Sequence, residues 1–96
     1  MEKYRYSFPI ILRPDPEEED IYNVEVLDMF PGVTFGKGID DALYMAKDLI
    51  ELMVSQAPGQ TRVPMSKEQA EKENPDEAIY MIDIEIDHPL PDKFAF

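Results

Sequence analysis

An α+β fold, one sheet covered on one face by a single long helix, is what this sequence predicts, and three observations predict it. Apolar residues alternate at every second position over residues 4–12 and again over 78–87, which is strand spacing, whereas over 39–53 they recur at helical spacing. The 96 residues suffice for one core of this kind but not for two. The predicted order is β-β-β-α-β in a single domain over residues 1–88. Residues 89–96 form a C-terminal tail too rich in proline to begin a helix.

The first strand, residues 4–12, places Tyr4, Tyr6, Phe8, Ile10 and Leu12 on one side and Arg5, Ser7, Pro9 and Ile11 on the other. Pro9 has no N–H to give to a ladder, so a local irregularity is expected there. "RPDPEEED" supplies turn chemistry and an acidic run. The second strand, residues 21–27, then alternates Tyr22, Val24 and Val26 with Asn23, Glu25 and Leu27, making a hairpin with a long loop. "FPG" at Phe30, Pro31 and Gly32 predicts a tight turn in which Gly32 takes a positive φ, followed by a short third strand over 33–35.

The helix rests on Ile39, Ala42, Leu43, Ala46, Leu49, Ile50 and Met53, one apolar stripe from which Asp40, Asp41, Asp48 and Glu51 fall away. Gly38 stands at the N-cap, the two aspartates of the first turn suit the positive end of the helix dipole, and Pro58-Gly59 marks the stop. Residues 60–75 read as a long polar loop that admits a short helical turn in "SKEQAEKE". In the last strand Tyr80, Ile82, Ile84 and Ile86 point one way and Asp83, Glu85 and Asp87 the other. An antiparallel meander followed by a right-handed helical crossover gives the sheet order 3-2-1-4, with the fourth strand parallel to the first.

Charge narrows the function. A formal charge of -12 repels phosphate backbones, so direct nucleic-acid binding is not expected, and a basic protein is the better partner. The chain has no Cys, which excludes a disulfide scaffold and thiolate metal sites and fits a cytoplasmic protein. No apolar stretch approaches the ~20 residues of a membrane span, and the N-terminus lacks the pattern of a signal peptide.

Candidate chemistry is sparse. Glu17, Glu18, Glu19 and Asp20 are consecutive, unlike the alternating ligands of a calcium loop, and a solvated acidic loop is their ordinary reading. Glu25, Asp83, Glu85 and Asp87 fall on one sheet face, where a nuclease-like metal site competes with an ordinary polar face. His88 is the sole histidine, and "GVTFGKG" lacks the spacing of a phosphate loop. No nucleophile and base can be paired, so neither catalysis nor a cofactor nor a bound metal is expected. Two features point instead to protein contacts. Met45 and Leu52 stand just outside the helix stripe, one heptad apart, and the tail carries Leu90, Phe94 and Phe96, whose exposure to water would be costly.

The segments "YSFPIIL", "IYNVEVLDMFPGVTFGKGIDDALYMAKDLIELMV" and "RVPMS", in this order and spacing, resemble the HicB family of antitoxins. The matching positions are Tyr6 to Pro9, Asp28 with Pro31 and Gly32, Gly36, Asp40 to Leu43, and Val63-Pro64, within a resemblance that spans about residues 4–87. Gly38 departs from the usual Thr or Ser cap, the turn after Pro31-Gly32 is one residue shorter than common versions, and autorepression through a DNA-binding module is not expected of this chain.

The resemblance implies a partial RNase H-like domain without nuclease catalysis, whose partner is a small basic RNase toxin of the HicA type. The expected function is neutralisation of such a toxin by occupying its RNA-binding surface, and the alternative is an orphan regulatory or oligomerising module of the same fold. Glu17, Glu18, Glu19, Asp20, Tyr22 and Met45 are the expected toxin contacts. Leu52, Leu90, Phe94 and Phe96 are the expected interface of a homodimer or higher homo-oligomer.

Overall fold

The computed structural model describes residues 2–95. Strands β1 (Tyr4–Pro14), β2 (Ile21–Val26) and β3 (Val33–Lys37) precede helix α1 (Ile39–Gln56). A short 3-10 turn (Pro58–Gln60), helix α2 (Lys67–Glu73) and strand β4 (Ala78–Ile86) complete the chain. The four strands form one sheet in the order β3-β2-β1-β4, as the alternation predicted. Its principal extents of 43 × 25 × 24 Å make the molecule elongated.

Tyr6, Phe8, Ile10, Leu12, Val24, Val26, Ile82 and Ile84 turn one face of the sheet toward Ala42, Ala46, Ile50 and Val54 of α1. Burying a large apolar side chain contributes roughly 1.5–3 kcal/mol, so this layer is the main source of stability. The small residues Ala42 and Ala46 are what allow α1 to lie close. At the tightest point Gly36 of β3 packs on Ala42, and a Cβ on Gly36 would overlap the Ala42 backbone. Strand, cap and helix are therefore joined without spare residues. Gly38, at φ 82, offers no side-chain cap; Asp41 instead accepts from the Lys37 N–H at 2.8 Å, closing the helix start from within the first turn.

Four expectations change. The fourth strand is antiparallel to the first, with Tyr4 opposite Ile86 and Leu12 opposite Ala78. The chain does not cross over once; after α1 it returns along the length of the molecule through the 3-10 turn and α2, so β4 enters the sheet from the end where α1 began. The supposed long loop accordingly contains a true helix, whose N-cap Ser66 accepts from the Gln69 N–H. Pro9 causes no irregularity, because β1 pairs continuously with β4 through that position. Its carbonyl accepts from the Leu27 N–H at 3.1 Å, so the missing N–H points to the β2 side, just where the β1–β2 pairing ends. Gly32 is needed for closeness rather than for positive φ: a Cβ there would sit 2.6 Å from the Val26 carbonyl oxygen. The preceding Phe30-Pro31 bond is cis, and the positive φ in this turn belongs to Asp28, at 63.

Pro9 and Ile11, which alternation turns to the opposite face, are also buried, as is Ala70 of α2. Ile11 and Ala70 lie outside the α1 core, and α2 packs against β4, so α2 covers the β1–β4 half of that second face. The β2–β3 half is left open.

Candidate functional site

The acidic segment lies in the loop between β1 and β2, at the end of the molecule where α1 begins. Glu17, Glu18, Glu19 and Asp20 are all exposed. Asp15 builds the loop under them: one carboxylate oxygen accepts from the N–H groups of Glu17 (2.8 Å) and Glu18 (3.0 Å), and the other from the Asn23 amide at 3.0 Å. Those bonds hold the Asp15 carboxyl below its ordinary value, the Glu17 backbone bond contributing most. Asp20, at φ 64, gives its carbonyl to the Gly38 N–H at 2.6 Å, which ties the loop to the start of α1. The exposed Asp40 and Asp41 thus join the four loop carboxylates. Nothing in the spacing of these two aspartates links them to a loop twenty residues earlier.

Tyr22 lies beneath this end, half-buried against the α1 core, opposite Gly36 of β3. Met45 is half-buried farther along α1, in the helical row that contains Leu52, which is 50% exposed. The structure therefore groups Tyr22 with the acidic end and Met45 with Leu52.

The carboxylates of the sheet do not converge. Glu25 pairs with Arg13 at 3.0 Å, Asp83 accepts from the Ser7 hydroxyl, Glu85 pairs with Arg5 at 3.0 Å, and Asp87 contacts His88 at 3.1 Å. Ile11 stands opposite both Glu25 and Ile79, which puts Glu25 four positions along β4 from Asp83, about 13 Å at strand rise. Among the described residues no group of three potential ligands could hold a metal ion. No helix among the described residues is long and apolar enough to cross a membrane.

The opposite end is built differently. Asp28, buried in the turn after β2, accepts from the Arg62 guanidinium and, at 2.5 Å, from the Met65 N–H. It clamps both sides of Val63-Pro64, and so joins two of the motifs that carry the family resemblance. The tail closes this end. The Leu90 side chain enters the core while its N–H donates to the Tyr6 hydroxyl at 3.0 Å, and Phe94 lies under the Arg62 guanidinium, 5.1 Å from ring centroid to carbon. Backbone bonds from Val63 to Pro91 (2.7 Å) and from Ala95 to Gly59 (2.8 Å) fix its path. Leu90 thus serves the chain's own core rather than a surface, and Phe96 lies outside the described residues.

With this geometry the chain matches the N-terminal domain of the Burkholderia pseudomallei antitoxin HicB, with a TM-score of 0.60 and 24% identity, over 85% of this chain and 99% of that one. The fold is that of a HicB N-terminal domain. No family model matches the sequence, and no curated protein matches it. The HicB-like fold presents two contrasting surfaces here: the carboxylate end just described, and an open sheet edge at β3.

Proposed function

We propose that this chain is an antitoxin-like binding protein of the cytoplasm that neutralises a small basic RNase toxin of the HicA type by occupying its RNA-binding surface. The observation that supports this reading most is the likeness of nearly the whole chain to a HicB antitoxin domain. The carboxylate end agrees with it chemically. An RNase presents cations to RNA phosphates, and Glu17 to Asp20 with Asp40 and Asp41 offer those cations an alternative partner. Carboxylates of this kind accelerate encounter, while Tyr22 beneath them supplies the aromatic contact that slows dissociation.

The test is inhibition of RNA cleavage by a small basic RNase of the HicA type, sought in the gene adjoining that of this chain. Stoichiometric addition of this protein is expected to abolish cleavage and yield a complex that co-elutes on gel filtration. Association should slow steeply with added salt and with Glu17, Glu18, Glu19 and Asp20 replaced by Ser. Undiminished cleavage at molar excess overturns the proposal.

A further inference from the structure

Strand β4 bounds the sheet on the side away from β3, and β1 is its neighbour. The Pro9 carbonyl accepts from the Leu27 N–H, so the peptide groups of odd-numbered β1 residues face β2 and those of even-numbered ones face β4. Because Tyr6 stands opposite Ile84 and Phe8 opposite Ile82, the N–H and C=O groups of Ile82, Ile84 and Ile86 point to β1. Those of Ile79, Met81, Asp83 and Glu85 point away from the sheet, and among the described residues no hydrogen bond engages them. Ile79 and Met81 are half-buried on the strand that α2 packs against, whereas Asp83 and Glu85 are exposed.

The two sides of this edge differ. On the face away from α1, Asp83 and Glu85 each commit one carboxylate oxygen to the sheet, Asp83 to the Ser7 hydroxyl and Glu85 to the Arg5 guanidinium. On the α1 face Ile84 stands between them, at a depression of about 530 Å³ that reaches Tyr6, Lys47 and Glu51. Charged side chains on an edge strand guard it against pairing with its own kind. A two-fold axis through Ile84 would set Asp83 against Glu85 of a second copy, and like charges directly opposite destabilise a pair. The same two carboxylates favour a strand that brings cations to those positions.

We propose that the β4 edge takes up an extended basic segment of a partner protein as an added antiparallel strand. A lysine or arginine of the segment stands opposite Asp83, another opposite Glu85, and an apolar residue between them stands opposite Ile84. The main chain supplies the affinity, since the residues opposite Asp83 and Glu85 exchange N–H···O bonds with both. Directly opposite side chains share a face of the sheet, so each cation lies beside a carboxylate with an oxygen to spare. The apolar residue falls on the α1 face, at the depression beside Ile84. This site is separate from the carboxylate loop. Pro14, the last residue of β1 before that loop, lies about 23 Å along the strand from Ser7, the residue opposite Asp83. A segment bound at β4 therefore leaves Glu17 to Asp20 free for another partner.

The probe is a short peptide of alternating lysine and valine, acetylated and amidated at its ends and titrated into the isotope-labelled full chain. The backbone amide signals of Met81, Asp83 and Glu85 are expected to shift to saturation. In this register the lysine N–H groups face β4 and the valine N–H groups face solvent. Methylating the lysine backbone nitrogens should therefore weaken binding at least about tenfold, and methylating those of the valines should change it by less than about twofold. Asp83→Asn combined with Glu85→Gln should weaken binding about tenfold, and a peptide with glutamate in place of lysine should not bind. The methylated peptides use the unaltered protein, so they report even where the double substitution disturbs the strand. Absence of a saturable shift, shifts confined to Glu17 to Asp20, equal losses from the two methylations, or a double variant that binds as the wild type does overturns the proposal.

Discussion

The two ends of the molecule divide its chemistry. Where α1 begins, carboxylates stand in solvent on a loop held by backbone bonds to Asp15 and by one bond from Gly38 to Asp20. Where α1 stops, Asp28 is buried, has an arginine and a backbone N–H as partners, and is closed over by Leu90 and Phe94. Residue type alone does not distinguish Asp20 from Asp28, since both are aspartates at positive φ after or before a strand. Their surroundings do. One end spends its charge on solvent and partners, the other on holding the chain's return path to the turn after β2.

Perturbing each end separately sharpens this comparison. The largest effect is expected from Leu90→Ala, which empties a buried site at the closed end and should destabilise the fold by about 2–5 kcal/mol in urea unfolding. Asp28→Ala should follow at about 1.5–3 kcal/mol, the range for hydrogen bonds to a charged group, and Arg62→Ala should cost less because Arg62 is partly solvated. The four-residue Ser substitution at the open end should alter stability by no more than about 0.5 kcal/mol, while still slowing partner association. An equal loss of stability from this substitution and from Asp28→Ala would erase the distinction between the ends.

The smallest effect is set by pH. The Asp15 carboxyl is held below its ordinary value in the fold, so it binds protons more readily when the chain is unfolded. Its contribution is present above the ordinary carboxylate value and is lost as pH falls through the lowered one. Replacing Asp15 by Asn should therefore lower stability slightly near neutrality, where the contribution is present, and flatten the profile at the acid edge, where the wild type loses it.

What the sequence made legible follows from what periodicity encodes. Alternation and the α1 stripe located every strand, the long helix and the sheet order, because each depends on which face of an element is buried. The direction of β4 depends on the path of residues 57–77, and a polar stretch carries no periodic signal of whether it turns back once or twice. Ile11 held a clue: an apolar residue on the supposedly open face of β1 needed a cover, and on the neighbouring strand β4 that face is packed by α2, with Ala70 buried. At the site, the loop carboxylates were readable as an exposed acidic run. Their junction with Asp40 and Asp41 was not, because it is made by backbone groups of Asp20 and Gly38. The Asp28 clamp was equally hidden, since a side chain's partner 34 residues away leaves no trace in spacing.

The docking of the tail has a consequence for how the chain can be rewired. Tyr4 pairs with Ile86, and Ala95 bonds to Gly59 beside the bridge from Met29 to Thr61, so the start of the first strand and Ala95 lie at the same end of the molecule. A short glycine-serine bridge can join them, and new termini can be opened in the loop between β1 and β2, where the Glu18 and Glu19 side chains are exposed. Such a circular permutant keeps every strand pairing and places both free ends at the carboxylate surface, making that surface an attachment point for a label or tether.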